Sequence, residues 1–239
     1  MLKASDFKIG SVQAVIFTPN AAEFSQSHVL THFLGRYGDR YNGPVTSLPL
    51  PDDAPPQVSR ILLQSADNTW KLNAAPARID SVWSPPSALG EPGELSSLID
   101  QCCEVLAEYV RHNAVRVNRL ALVLQRGQLA DTPARVLVEQ FCNEWARKSP
   151  FRRSENFEIH NHKRYRPPAI DRAINSWVRC RTGLVLNRPG VAVEQDLNTL
   201  EEEMGHSTLD ADYIRRFFNN IGSEADSVLR LYFDEEGRR

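Results

Sequence analysis

Residues 119–125 read Arg-Leu-Ala-Leu-Val-Leu-Gln and contain the longest uninterrupted aliphatic run of the chain, Leu120–Leu124. Five apolar residues between polar ones predict a buried β-strand, because a membrane-spanning helix needs about 20 apolar residues. Asp131-Thr132-Pro133 follows, with an N-cap residue and a proline suited to the first turn of a helix. The stretch therefore predicts a strand that leads into a helix.

The second half of the chain continues from this strand with a helix, three strands and a long terminal helix. The first of these helices should place Leu137, Val138, Phe141, Cys142 and Trp145 on one face, because they recur at helical spacing. The three strands are predicted at 156–163, 174–186 and 191–197, with a turn at 187–190, and the terminal helix at 209–232.

The first half shows the same order of elements. Apolar residues alternate with other residues over Ser11–Phe17, which predicts a strand. A helix is predicted next and then a proline-rich loop, followed by three short strands with tight connections and a second helix. The predicted ranges are 21–37 for the first helix, 42–56 for the loop, 59–65, 70–73 and 77–83 for the strands, and 95–110 for the second helix.

Both halves therefore read strand, helix, three strands, helix. Each short half would expose an apolar sheet face without its partner, so we predict an α+β fold in which duplicated units form one helix-covered antiparallel sheet. The expected organisation is a single pseudo-symmetric domain over residues 1–239, with one repeat at 1–113 and the other at 114–239. The junction lacks the Gly, Pro and Ser content of a linker.

The stretch Arg60–Trp83, preceded by Ser47-Leu-Pro-Leu-Pro51 and followed by a helix and the strand at 120–124, resembles a sporadically distributed family of uncharacterised bacterial proteins. The resemblance covers about the first 130 residues and rests on a strand, a tight turn, a second strand and an Arg-Ile…Trp strand that leads into a helix. It implies an accessory role, such as one in a bacterial defence or toxin–antitoxin locus. It transfers no catalytic residue.

The composition is that of an ordinary globular protein. The 239 residues are 41% hydrophobic and 24% charged, with a formal net charge of −2, which excludes fibrous and wholly disordered classes. The N-terminus lacks the apolar segment of a signal peptide, and the four cysteines form no CxxC pair. We therefore expect a cytoplasmic protein without membrane contact, in a reducing compartment.

Glu158, His160 and His162 form the strongest local pattern. On a strand, alternate residues project from the same face, so two imidazoles and a carboxylate would lie together. Such a set suits zinc or iron and leaves open a metal-dependent enzyme. The interpretation that we favour is a polar strand face without a metal, because the sequence identifies no further ligand.

Charge is distributed unevenly along the chain. Residues 147–181, here called the basic stretch, contain ten basic and three acidic residues and interleaved aromatic residues. This composition fits a protein interface or a nucleic-acid surface. A third reading is pairing within the molecule with Glu194–Asp212, here called the acidic stretch, which holds seven acids and no base. The residues predicted to contact a partner are Arg152, Arg153, Arg164, Tyr165 and Arg166.

The motifs of the common enzyme classes do not occur in the sequence. It contains no GxSxG, GxxxxGK[ST], GxGxxG or HExxH motif. We therefore predict a non-enzymatic, regulatory binding protein that needs no cofactor and recognises another macromolecule, preferentially a protein. The alternatives are a nucleic-acid-binding protein that uses the basic stretch and a metal-dependent enzyme at Glu158, His160 and His162.

Overall fold

The computed structural model describes residues 2–19, 24–51, 53–86, 93–148, 150–203 and 208–234. In these ranges it has an antiparallel sheet of nine strands, α-helices and two short 3-10 helices. The strands are β1 (Lys8–Phe17), β2 (Val45–Ser47), β3 (Ile61–Gln64), β4 (Trp70–Ala75), β5 (Arg78–Trp83), β6 (Arg119–Leu129), β7 (Glu158–Tyr165), β8 (Ile174–Val185) and β9 (Arg188–Thr199). The α-helices are α1 (Gln26–Tyr37), α2 (Leu95–Asn113), α3 (Pro133–Phe141), α4 (Glu144–Lys148) and α5 (Ala211–Phe233).

The mixed helix and strand content confirms the α+β prediction in its general form. The predicted strand at 119–125 is the first part of β6, and the three short strands predicted at 59–83 form the hairpin series β3, β4 and β5. The α1 helix begins at Gln26, and residues 21–23 of the predicted helix lie outside the described ranges. Periodicity located these elements because their apolar positions follow the sheet and helix repeats.

Strand β1 pairs with β6 in the middle of the sheet. The full order is β2-β3-β4-β5-β1-β6-β9-β8-β7. Beyond β1 lie β5, β4, β3 and β2, and beyond β6 lie β9, β8 and β7. In each half, the last strand therefore pairs with the first, and the earlier strands follow toward the edge of the sheet. Within the described ranges, strand β2 and helix α4 have no counterpart in the other half. Duplication remains a prediction.

Helices α2 and α5 cover one face of the sheet. Their buried residues join Val12, Leu122 and Leu197 of the strands in one apolar core. Gly222 of α5 lies where a Cβ atom would approach Cδ1 of Ile99 on α2 to 2.6 Å, so the missing side chain lets the helices approach closely. The buried helix residues include Leu98, Ile99, Cys102, Leu106, Ile214, Phe217, Phe218 and Ile221.

Two predictions for the second half were wrong in detail. The predicted helix face at 137–145 is interrupted, because α3 ends and the backbone of Cys142 is extended. Trp145 therefore lies on the separate helix α4 with 71% of its surface exposed. The turn of the β8–β9 hairpin is Leu186-Asn187, not 187–190, and both residues have positive φ.

The loop predicted at 42–56 contains the short edge strand β2. All three residues of β2 are exposed. They are extended because Val45 and Ser47 pair with Leu63 and Ile61 of β3. A strand held by its neighbour leaves little trace in its own sequence.

Within the described residues, no helix is long and apolar enough to cross a membrane.

We expect limited digestion with proteinase K to cut between residues 48 and 58 before it cuts at 114–118. Leu209 donates a main-chain hydrogen bond to Val117 at 2.7 Å, and Asn118 donates one to Phe17 at 3.1 Å, so main-chain hydrogen bonds hold the last two residues of the junction. Mass spectrometry of early fragments would identify the sites. Early release of two stable halves would contradict the single-domain prediction.

We expect Gly222→Leu to lower the free energy of unfolding by about 1–3 kcal/mol, because the new side chain overlaps Ile99. Ile99→Ala makes room for it at the cost of a cavity of its own. Urea unfolding of both single variants and the double variant should then show a double-variant loss smaller than the sum of the two. Additive losses would mean that the two residues do not limit the approach of α2 and α5.

Candidate binding face

The nine strands present one face to the helices and leave the other open. In β1, Val12, Ala14 and Ile16 point into the core beneath the helices, whereas Gln13 and Phe17 point to the opposite side. The apolar contacts of α1, α2, α3 and α5 all lie on the first side. We call the second side the open face, because no described helix covers it.

Strand β7 is an edge of the sheet and brings Glu158, His160 and His162 to the open face. All three are exposed. The alternation predicted from the sequence is therefore present in the structure. Their register partners on β8 are Arg181, Arg179 and Trp177.

The two histidines lie against Trp177. The ring of His162 is stacked on the indole at 3.8 Å between centroids and 5° between planes, and the ring of His160 is 4.9 Å away. The Nε2 atom of His162 is 3.1 Å from Oδ1 of Asn175. We call His160, His162 and Trp177 the aromatic cluster. It borders a shallow recess of about 280 Å³ that Arg179, Glu194 and Asp196 complete.

The arrangement around Glu158 differs from a metal centre. Its Oε1 atom is 2.9 Å from Nε of Arg179, so an arginine neutralises the carboxylate. His162 is engaged by an indole on one side and an amide at its Nε2 atom. In the ranges that the structure describes, no three His, Cys, Asp or Glu residues are grouped so that they could hold a metal ion.

The arginines predicted to bind a partner lie in two separate places. Arg152 and Arg153 are exposed in the turn before β7. Arg164 and Arg166 are exposed at the other end of this strand, roughly 20 Å away at the usual rise per residue. The four side chains are therefore neighbours in sequence but not in one continuous patch.

Tyr165 points away from the arginine that precedes it. Alternation along β7 turns it toward the helices, where its hydroxyl donates a hydrogen bond to Oε1 of Glu224 at 2.6 Å. Burial, followed by the contact with Glu224, raises the pKa of the Tyr165 hydroxyl. The structure thus places this predicted contact residue at the interface between the sheet and α5.

Much of the positive charge in the basic stretch is already engaged within the molecule. Arg164 pairs with Glu202 of the acidic stretch at 3.1 Å, and Lys148 pairs with Glu144. Arg147 donates to two main-chain carbonyl oxygens at the end of α3. Residues 204–207 of the acidic stretch lie outside the described ranges. Pairing between the two stretches, the third reading of their composition, is therefore present at Arg164.

At one end of the middle strands β5, β1 and β6, the open face carries a group that the sequence analysis missed. The guanidinium groups of Arg78 and Arg119 lie 5.5 Å and 4.7 Å from the ring of Phe17, one on each neighbouring strand. Arg78 also pairs with the buried Asp80 at 2.8 Å. An arginine held by both a ring and a carboxylate is well fixed in position.

A chain of hydrogen bonds joins Arg119 of this group to the aromatic cluster. Asn175 donates to Oδ1 of Asn198 at 3.2 Å, and Nη2 of Arg119 donates to the same oxygen at 2.9 Å. Asn198 in turn donates to Oδ1 of Asp196 at 2.9 Å. Through His162, which contacts Asn175, the network spans β6, β9, β8 and β7.

A sequence signal for this network exists. In β8 the polar or large residues Asn175, Trp177 and Arg179 alternate with Ser176, Val178 and Cys180, the last two of which are apolar and buried. In β9 Asp196 and Asn198 alternate with Leu197 and Thr199. Such period-two polarity predicts that these residues share one face. It does not predict which strands lie beside each other.

Two carboxyl groups of the face are partly withdrawn from water. Burial raises the pKa of Asp80 above its ordinary value, and the neighbouring Arg78 offsets only part of this effect. Burial also raises the pKa of Asp196, against the hydrogen bond from Asn198 and the charge of Arg119. Ionisation of both carboxyl groups is therefore less favourable in the folded protein than in water.

Comparison with known proteins gives no family. No family model matches the chain, and neither does any curated protein. The TBP of Methanococcus jannaschii is 8% identical over 92% of this chain and 99% of that chain, with a TM-score of 0.27. The di-domain ARO/CYC StfQ from the steffimycin biosynthetic pathway is 11% identical over 96% of this chain and 99% of that chain, with a TM-score of 0.20. Similarities this slight carry no argument about fold or function.

We expect Asp196→Asn to stabilise the protein at pH 7, because it removes a poorly solvated charge and keeps an oxygen for Asn198. The folded carboxyl of the wild type binds a proton at higher pH than the unfolded one. The advantage of the variant should therefore shrink as the pH falls from 7 toward 4. Urea midpoints at several pH values would test this.

The matched control is Asp39→Asn at an exposed position, which should leave the midpoints unchanged. A loss of stability at pH 7 in Asp196→Asn would contradict the expectation and show that attraction to Arg119 outweighs the cost of burial.

Proposed function

We propose that the protein is a non-enzymatic binding protein whose open face recognises another protein. The observation that carries this proposal is the aromatic cluster, an exposed Trp and two His rings held in place on a sheet face that no described helix covers. Fixed aromatic side chains lose little conformational entropy on binding and dominate many protein interfaces. The recess beside Trp177 offers a place for one side chain of the partner.

The charges of the face favour a protein over a nucleic acid. Affinity for phosphates depends on cations that displace counterions, and Arg164 and Arg179 are already paired with Glu202 and Glu158. The recess also contains the carboxylates of Glu194 and Asp196, which would repel a phosphate backbone. A surface with both signs of charge and exposed aromatic rings is typical of contacts with proteins.

The predicted arginines fit this proposal as outer contacts. Arg152, Arg153, Arg164 and Arg166 are exposed at the two ends of β7 and would flank a partner centred on the aromatic cluster. Tyr165 is left out of the proposed surface because its hydroxyl is bonded to Glu224.

A nucleophilic role for the adjacent cysteines is disfavoured by their surroundings. Cys102 and Cys103 are buried residues of α2, and burial raises the pKa of both thiols to about 12. A thiol that stays protonated is a poor nucleophile.

The cytoplasmic location and the accessory role in a defence or toxin–antitoxin locus remain part of the proposal. The duplication of the two halves is part of it too, and the strand order on each side of β1 and β6 supports it.

The test is a quantitative pull-down from native lysate with the full chain as bait. Trp177→Ala should weaken capture of the partner by at least 30-fold, as expected for an interface residue worth about 2 kcal/mol or more. Trp145→Ala is the matched control, since this tryptophan is 71% exposed on α4, away from the open face. The partner should be a protein whose capture survives nuclease treatment.

Thermal melts of each variant separate binding from folding, and His160→Ala provides a second change at the same cluster should Trp177→Ala melt early. Retained capture by both cluster variants, with normal melts, would eliminate the open face as the protein-binding surface. Loss of capture only after nuclease treatment would assign the surface to nucleic acid.

A further inference from the structure

A second cavity lies at the far end of the open face, beneath the β8–β9 hairpin. It has a volume of about 590 Å³, within the range of small-molecule sites, roughly 300–1,000 Å³. Residues of β6, β8 and β9 and the start of β1 line it. The apolar part of the lining includes Leu129, Leu184, Val185 and Leu186. We call this cavity the hairpin cleft.

Two glycines shape the hairpin cleft. A Cβ atom on Gly127 or on Gly190 would come within 2.7 Å of Cγ2 of Val185. Real Cβ atoms do not approach other atoms this closely, so both positions need glycine for Val185 to lie against the sheet. The tip of the hairpin can therefore bend over the open face and form one wall of the cleft.

The tip presents apolar side chains that the fold itself does not bury. Leu184 is 71% exposed and Leu186 is 58% exposed. Leu186 also has a φ of 51°, in the left-handed region that bulky residues rarely adopt. The two-residue turn Leu186-Asn187 imposes this conformation, because a tight hairpin of this kind needs positive φ at both positions. The turn therefore fixes the exposed leucines at the rim of the cleft, and their exposure marks the cleft as a contact region.

The charges that line the hairpin cleft are mainly positive. Among the described residues, neither Lys8 nor Arg181 forms an ion pair, and Glu194 is the one acidic residue in the lining. Arg126 is neutralised by Asp226 of α5 at 2.6 Å. Two available cations against one carboxylate favour an anionic group on the occupant.

We propose that the hairpin cleft binds an apolar molecule with a single carboxylate, of the fatty-acid class. The acyl chain lies against Leu129, Leu184 and Leu186, and the carboxylate meets Lys8 and Arg181. The planar fork of an arginine suits the two oxygens of a carboxylate. This site does not depend on the proposed protein partner, and its residues are not those of the aromatic cluster.

The test is calorimetric titration of the full chain with decanoate below its micelle concentration. We expect saturable binding of one decanoate per chain, and binding of decyltrimethylammonium at least tenfold weaker, because it has an alkyl chain of similar length with the opposite charge. Arg181→Gln should weaken decanoate binding about tenfold. Leu184→Asp, at an exposed position, should weaken it at least tenfold without changing the urea midpoint.

Two control variants separate the cleft from its surroundings. Arg188→Gln removes an exposed arginine of the same hairpin that does not line the cleft, and Leu231→Asp changes an exposed leucine on α5. Both should bind decanoate like the wild type. Non-saturable uptake, equal affinity for both amphiphiles, or unchanged binding by Leu184→Asp would overturn the proposal. So would a dimer in sedimentation that Leu184→Asp dissociates, because a second copy would then occupy the cleft.

Discussion

The antiparallel pairing of β1 with β6 is the interaction on which the rest of the structure depends. It joins a set of strands from each half of the chain into one sheet, with Val12 opposite Leu124 and Ile16 opposite Leu120. Side chains alternate with a period of two, so a slip by one residue would turn this apolar set onto the open face. The register of one strand pair thus decides which residues form the core and which remain available for binding.

The one-sided covering of the sheet follows from this register. The apolar surfaces of α2 and α5 meet the apolar side of the central strands, and the contact at Gly222 brings these helices close together. The opposite side then has to satisfy its polar groups by itself. It does so through contacts such as Arg78 with Asp80 and Arg119 with Asn198. These contacts also fix the side chains in place before any partner arrives.

The open face combines two regions of different chemistry. The aromatic cluster has paired charges and a shallow recess, whereas the hairpin cleft has exposed leucines and cations without ion pairs among the described residues. Glu194 borders both, so a molecule in one region would contact the edge of the other.

The sequence by itself determined the class of fold and most of its elements, because the apolar periods of strands and helices are local. It also placed Glu158, His160 and His162 on one side of β7. Only the tertiary structure decided what these residues contact, since their neighbours come from distant positions. Arg164 meets Glu202 across 38 residues and Arg119 meets Asn198 across 79. Whether a charged side chain is paired, and with which residue, depends on strand order and register, which the local sequence pattern does not specify.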